Sequence, residues 1–411
     1  MKTKNRIRSL DDLSFVSKRT PKILTLFSGG LDSTFVLKEL AKLSNHGAAE
    51  VICLTVDLGD GVNRADLDEL AKRFGAHSIV VDGRDRFVHE AVLPAIRANA
   101  QYKGMYPISS SLSRPIISQF AVEYANKLGC GAIVHTANQS QNSLRRLNGA
   151  IEQLGFAGYY GTPYEFSALT REEKITELKA VGLNKFQARG ISGDANLWCR
   201  EYESGSLDNP ESFWVPESLF DWTAVPTIPR VGGSFSIRFE RGVPVAINGV
   251  KMPIVELIEA TNRTVGQFQI GRYAGLEHLE HGEKVLEVRE VPAAHVLMNA
   301  YRHLEMAILD AELIREKISM EQIWVREAIE GRWYHDLRRA AEGFISVTAL
   351  NICGTVEYQL RQGAADVCSI KADHAKYLTD RDTWEKTVAV VRGSRRLSAA
   401  ETIDDISMAE A

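Results

Sequence analysis

Residues 23–36 read ILTLFSGGLDSTFV. An apolar run with β-branched character stops abruptly at Ser-Gly-Gly-Leu-Asp-Ser. An amphipathic stretch, TFVLKELAKLS at 34–44, begins at once. The junction of a buried strand and a helix therefore carries two glycines, two hydroxyls and a carboxylate. Gly29 and Gly30 permit unusual dihedrals and let backbone come close to an anion. Ser28 and Ser33 add hydroxyl donors, and a helix N-terminus offers unpaired N–H groups with a partial positive charge. Asp32 would repel a phosphate unless it caps the helix or helps to hold a magnesium ion. A lone Gly-Gly turn is more often a tight strand-to-helix connection with a serine cap. The complete strand–SGGLDS–helix unit at the head of a parallel sheet is far more specific, and it lacks the Gly-Lys-Ser/Thr ending of a Walker loop.

The elements around this unit define the sheet. EVICLTVDLGDG (50–61) reads as a second buried strand ending at Asp57, followed by a helix in RADLDELAKRFG (64–75). HSIVVDG (77–83) is a third strand and RFVHEAVLPAIRANAQY (86–102) a helix. RPIISQFAVEYANKLGC (114–130) is a helix leading into a fourth strand, GAIVHTA (131–137), and NSLRRLNGAIEQLG (142–155) is again helical. Alternating strands and helices predict an α/β fold, a parallel sheet covered on both faces. After about residue 190 the pattern becomes α+β. SFSIRFERGVPVAING (234–249) predicts an antiparallel hairpin and PIVELIEATNRTVGQF (253–268) a helix. KVLEVREVP (284–292) predicts a strand, and residues 293–318 one long helix. GTVEYQL and AADVCSI (354–360 and 364–370) predict a last pair of strands. The expected domains are a flexible or surface-docked extension (1–21), a nucleotide-binding domain (22–190), a substrate-binding and multimerisation domain (191–370) and a C-terminal arm (371–411), disordered over its last 15 residues. The polar segment 198–232 is expected to cross between the domains.

Composition excludes several classes. The 411 residues are 45% hydrophobic and 25% charged, as in ordinary soluble globular proteins. A net charge of −4 provides no field to draw nucleic acid or anionic lipid. The five cysteines are odd in number, far apart and in no CxxC pair. That argues against a disulfide framework or zinc site and for a reducing compartment. No run approaches the roughly 18 apolar residues of a membrane span. The basic N-terminus lacks the apolar core of a signal peptide. A cytoplasmic protein acting on small molecules is expected, with no nucleic-acid or membrane partner.

The SGGLDS unit resembles the pyrophosphate loop of the ATP pyrophosphatases, in which the loop holds the β,γ-diphosphate while a substrate oxygen attacks the α-phosphorus. Within that superfamily the chain resembles argininosuccinate synthase from about residue 22 to about 360. YPISSSLSRPII (106–117), GAIVHTANQSQNSLRRL (131–147), ISGDANLWCREYESGSLDNP (191–210), RGVPVAING (241–249) and IGRYAGLEHLE (270–280) are similar to that family's blocks, in order and spacing. The resemblance implies an ATP-dependent ligase that adenylates a ureido oxygen, releases pyrophosphate and couples an amine with loss of AMP. ATP and Mg2+ are the implied cofactors. A homotetramer, or failing that a homodimer, is the implied assembly, with contacts from the second domain and arm.

Carried over residue by residue, the resemblance implies ATP contacts at Ser28, Gly29, Gly30, Leu31, Asp32, Ser33, Thr55 and Thr136, with Asp32 and Ser33 catalytic. It implies acceptor contacts at Tyr106, Ser111, Arg146, Ser192 and Glu277, and places Asn142 between the two substrates. Arg146 suits bidentate carboxylate binding and Glu277 suits an α-ammonium. Taken singly, Arg146 on its helix could equally be a solvated charge and Tyr106 loop packing. Departures from the family pattern fall in the same region. Thr136 replaces a glycine, Asn138 a threonine, Gln139-Ser140-Gln141 a Gly-Lys-Gly run and Ser143 an aspartate-contacting carboxylate. Glu201 replaces a serine and Arg289 a tyrosine. A lost desolvated carboxylate changes binding by about 2–5 kcal/mol. Glu201 and Arg289 either pair with each other or read a different substrate, and we expect the latter. The ATP half is kept and the substrate half rewritten.

Three weaker candidates are set aside. His278 and His281 with Glu280 and Glu283 resemble a metal cluster, but the exposed-turn reading is preferred. Cys199 beside the expected pocket reads as a bystander thiol. The basic residues near 395 read as a solvated tail. The leading expectation is a ligase of this type with an altered substrate pair. An authentic argininosuccinate synthase and a non-catalytic nucleotide-binding homologue are the alternatives. A tRNA-modifying enzyme fits poorly, since neither a basic face nor paired reactive cysteines are evident.

Overall fold

The computed structural model describes residues 5–44, 49–59, 61–186, 191–224 and 232–392. Its first sheet is parallel throughout and has six strands in the order Arg6–Ile7, Tyr159–Gly161, Ala132–Val134, Lys22–Leu26, Glu50–Asp57, His77–Asp82. The central strands are buried on both sides, and their alternation sorts side chains into two cores. Ile23, Val51, Cys53, Ala132 and Val134 face helices Leu31–Ser44 and Arg64–Arg73. Leu24, Ile52, Leu54 and Ile133 face helix Ser110–Leu128 and the second domain. The order of connections reverses between Lys22–Leu26 and Ala132–Val134, which opens a crevice beyond their carboxyl ends. SGGLDS and the segment after His135 both border that crevice.

The extension is docked and built into this domain. Arg6–Ile7 adds an edge strand against Tyr160 and Gly161, and helix Leu10–Ser17 buries Leu13 and Val16 under a Ser9–Asp12 capping box. Sequence reading passed over strand Tyr159–Gly161 and helix Arg171–Ala180, which complete the domain. The helix expected over 86–102 carries a π turn at Val88–Val92, where Pro94 lacks the N–H that a regular turn would use.

The second domain holds two antiparallel sheets. One runs Arg272–His278, Lys284–Glu290, Arg200–Glu203, Ser192–Ala195, and the other Val250–Lys251, Val243–Ile247, Gly233–Glu240, Gly354–Arg361, Ala364–Ala372. Strand Arg200–Glu203 lies inside a sheet, so the expected crossing segment begins only after it. The single long helix expected over 293–318 is two helices, Pro292–Ile308 and Ala311–Ile329. Leu309 is extended, and the Asp310 side chain accepts from Leu313 N at 2.9 Å, capping a new helix. The last strand closes at Ala372, and residues 381–392 form an exposed helix. The tail expected to be disordered and the basic residues near 395 lie outside the described residues.

Candidate active site

The turn after Lys22–Leu26 is held by its own hydroxyls. Gly29 has φ +72°, and a Cβ there would lie 2.8 Å from Leu67 Cδ2, so the loop packs tightly against helix Arg64–Arg73. Gly30 N donates to Ser28 Oγ at 3.3 Å, and Ser33 Oγ donates to Gly30 O at 3.2 Å. Ser28 Oγ and Ser33 Oγ are 3.2 Å apart. Leu31 begins the helix and is buried, while Thr34 N donates to Gly30 O. The Thr55 hydroxyl donates to Phe27 O, which ties the loop's base to the neighbouring strand. Half-buried Thr136 borders the crevice from the next strand.

The charge on Asp32 has a partner that sequence reading missed. Lys174 Nζ lies 2.7 Å from Asp32 Oδ1, and the Tyr164 hydroxyl donates to Asp32 O at 3.1 Å. Both come from the passed-over strand–helix unit. His135 is fully buried, bonded through Nε2 to Asn148 Oδ1 at 3.0 Å, and accepts from Ala137 N at Nδ1. Burial pushes its pKa down to about 4, so the ring is neutral near neutrality.

The expected acceptor residues converge where the second domain's first sheet meets helices Ser110–Leu128 and Ser143–Gln153. Glu201 and Arg289 are directly opposite in register, and their charged groups are 3.0 Å apart. Arg289 also pairs with Glu277 at 3.0 Å and with Glu287, donates to Pro107 O at 2.8 Å, and lies 4.5 Å from the centre of the Tyr106 ring. Glu277 in turn takes Arg146 at 2.5 Å and Asn142 Nδ2 at 2.9 Å. Arg146 also donates to Ser110 Oγ (2.7 Å) and Ile329 O (3.1 Å). Ser110 serves the cluster twice, since its amide also donates to Glu201 at 3.2 Å, and the expected Ser111 lies buried beside it. Ser192 sits at the sheet's margin opposite Glu203. The Tyr106 hydroxyl is buried and has no hydrogen-bond partner among the described residues.

Three carboxylates thus face two guanidiniums in a buried site. Burial would raise Glu277, but Arg146 and Arg289 hold its pKa down at about 2. Burial pushes Glu287 up to about 7 against the pull of Arg289, and raises Glu201 as well. The Glu201–Arg289 couple is therefore an ion pair within a larger cluster. Glu287 was legible in principle, because strand alternation places it on the face of Arg289.

Segment 138–143 bridges the two halves. Asn138 Oδ1 accepts from Ser140 N (3.0 Å) and Oγ (2.7 Å), and Gln141 reaches Glu203 at 2.9 Å. Ser143 Oγ accepts from Arg114 Nε at 3.0 Å, while Arg114 pairs with Asp194 at 2.9 Å. Gln139 Nε2 is directed at Glu165 O.

His278 bonds Tyr102 (2.8 Å) and Glu330 (3.0 Å), His281 is exposed, and the described residues hold no group of His, Cys, Asp and Glu suited to a metal ion. Cys199 is fully buried, and desolvation pushes its thiol well above the ordinary range. Among the described residues no helix is long and apolar enough to cross a membrane.

Residues 22–184 match the family model described as Arginosuccinate synthase N-terminal HUP domain, and 191–393 the Arginosuccinate synthase C-terminal domain. The chain is 35% identical over 367 residues to the argininosuccinate synthase of Pyrococcus furiosus, covering 89% of this chain and 88% of that one. It is 33% identical over 368 residues to that of Rubrobacter xylanophilus (89% of each). It is 32% identical over 369 residues to that of Synechocystis sp. (89% and 92%). With both domains matched and almost the whole length shared, the chain belongs to the argininosuccinate synthase family.

Proposed function

We propose that this protein is an ATP-dependent carbon–nitrogen ligase acting on small amino-acid-like molecules. A ureido- or amide-like oxygen of the acceptor attacks the α-phosphorus of ATP while the Ser28–Ser33 turn holds the departing pyrophosphate. An amine then displaces AMP. Asp32 presents a hard oxygen donor at the mouth of the turn, suited to a magnesium ion carried in with ATP, which would offset phosphate charge.

The substrate pair, in our reading, is not citrulline with aspartate. The observation that carries this is the engagement of both head-group residues. Glu277, which would take an α-ammonium, is bound by Arg146, Arg289 and Asn142, and Arg146 is bound by Glu277, Ser110 and Ile329. Seating citrulline's α-ammonium and α-carboxylate at Glu277 and Arg146 would break a buried cluster, and breaking one side of such a pair costs several kcal/mol, so in this reading the acceptor lacks a free α-amino-acid head group. The amine side supports the same reading, since Ser143 is engaged by Arg114 and Asn138 by Ser140. The second reading, an authentic argininosuccinate synthase, is favoured by 32–35% identity across the chain and by the matching Tyr106, Asn142, Arg146 and Glu277. A pyrophosphate-release assay over ureido acids crossed with amino acids separates them. Turnover above all others with citrulline and aspartate would establish the second reading, and turnover with another pair the first. The exposed Tyr377, Leu378, Trp384 and Val391 near the C-terminus suit an interface between copies, and sedimentation would test the homotetramer that the resemblance implies.

A further inference from the structure

A diphosphate brings several negative charges to a turn whose first helical residues include the Asp32 carboxylate. Uncompensated, that carboxylate would oppose binding. Lys174 supplies the compensation, and its setting fits more than a surface ion pair. Its side chain is 9% exposed, whereas that of Asp32 is 38% exposed at the mouth. The ammonium has three donors, and among the described residues one hydrogen bond, to Asp32 Oδ1, uses them. The Tyr164 ring lies 4.2 Å beneath it, a favourable seat for a cation that has left water. The platform is fixed: a Thr170–Glu173 capping box starts helix Arg171–Ala180, and Lys38–Glu177 at 2.5 Å binds it to the helix that follows the turn.

We propose that Lys174 is a nucleotide-binding residue of the ligase, held by Asp32 at the turn and transferred to the β,γ-diphosphate of ATP. The flexible four-carbon stem permits the short swing from the Asp32 carboxylate to a phosphate oxygen. Phosphate binding then satisfies donors that Asp32 alone leaves over, and frees the carboxylate for the metal ion. The inference rests on the ATP-cleaving reading of the turn, and not on the identity of the acceptor.

Calorimetric titration of the full chain with ATP, inorganic pyrophosphate and AMP tests it. Lys174→Met should weaken ATP and pyrophosphate by about tenfold or more, the size of a lost charge-assisted contact. AMP, which lacks the diphosphate, should bind within about twofold of wild type. The same loss should persist when Lys174→Met is added to Asp32→Asn, since a direct contact does not need the carboxylate. Lys174→Arg should restore part of the affinity. Should Lys174→Met disturb folding, seen as a lowered thermal midpoint without ligand, Lys174→Gln replaces it. Loss that vanishes in the Asp32→Asn background would show that Lys174 only neutralises Asp32. Equal loss for AMP would show a structural role, and undiminished pyrophosphate binding would remove Lys174 from the site. Each overturns the proposal. Wild-type protein that binds neither ATP nor pyrophosphate would overturn the reading of the turn along with it.

Discussion

Replacing Arg289 with methionine removes the hub of the buried cluster while keeping much of its volume. Glu201 and Glu287 would then lose their ion-pair partner and Glu277 would keep only Arg146, at a position where Arg289 is only 1% exposed. Uncompensated buried charge of this kind costs about 3–5 kcal/mol. For a domain of this size that corresponds to a fall of roughly 6–20 °C in thermal midpoint. Glu201→Ser should behave quite differently. Arg289 keeps Glu277 and Glu287, and the cluster becomes two carboxylates with two guanidiniums, so the cost should be on the order of 1 kcal/mol or less. The deficit of Arg289→Met should also depend on pH. Glu287 and Glu201 hold protons more tightly folded than unfolded, because burial raises them. Their stabilisation is full below the ordinary carboxylate value and is lost as pH rises through about 7 for Glu287. Without Arg289 both values rise further, so the deficit seen at pH 8 should shrink towards pH 6. Differential scanning calorimetry of both variants at the two pH values measures this. Equal losses in the two single variants, or no loss in Arg289→Met, would refute the hub reasoning.

Asp32→Asn should abolish pyrophosphate release while leaving the thermal midpoint nearly unchanged, as assay and calorimetry on one preparation would show. Aspartate should be a poor co-substrate with citrulline saturating; a KM within the usual range, roughly 1 μM–1 mM, with ordinary turnover would contradict the altered amine site. His135, with its folded pKa depressed to about 4, stays neutral while the unfolded ring protonates, so it should make stability fall as pH drops from about 6.5 towards 4. His135→Gln should flatten that slope, which denaturation midpoints across the range would reveal.

The strand–turn–helix around Ser28–Ser33 was legible because its features are local: β-branched burial, glycine freedom and the immediate onset of helical periodicity. The two-sided parallel sheet followed from the same alternation. Short elements escaped, since the three residues Tyr159–Gly161 are too few to show a period and draw their strand character from neighbours on both sides. The split at Leu309–Asp310 was written in the sequence as an N-cap aspartate inside an otherwise continuous pattern. Lys174 was invisible for a different reason. Its partner lies 142 residues away in the chain, and a lysine in TREEKITELK reads locally as a solvated helix face. Glu201 and Arg289 were singled out by resemblance, but their mutual pairing depends on a strand register that sequence alone does not fix.

The most direct test of the proposed chemistry follows the oxygen. An accepted substrate labelled with 18O in its ureido or amide carbonyl should be turned over with ATP and amine, and the products weighed by mass spectrometry. We expect the label in AMP, none in pyrophosphate, and none in the coupled product. Label retained in the coupled product, or orthophosphate and ADP in place of pyrophosphate and AMP, would contradict adenylation at the Ser28–Ser33 turn.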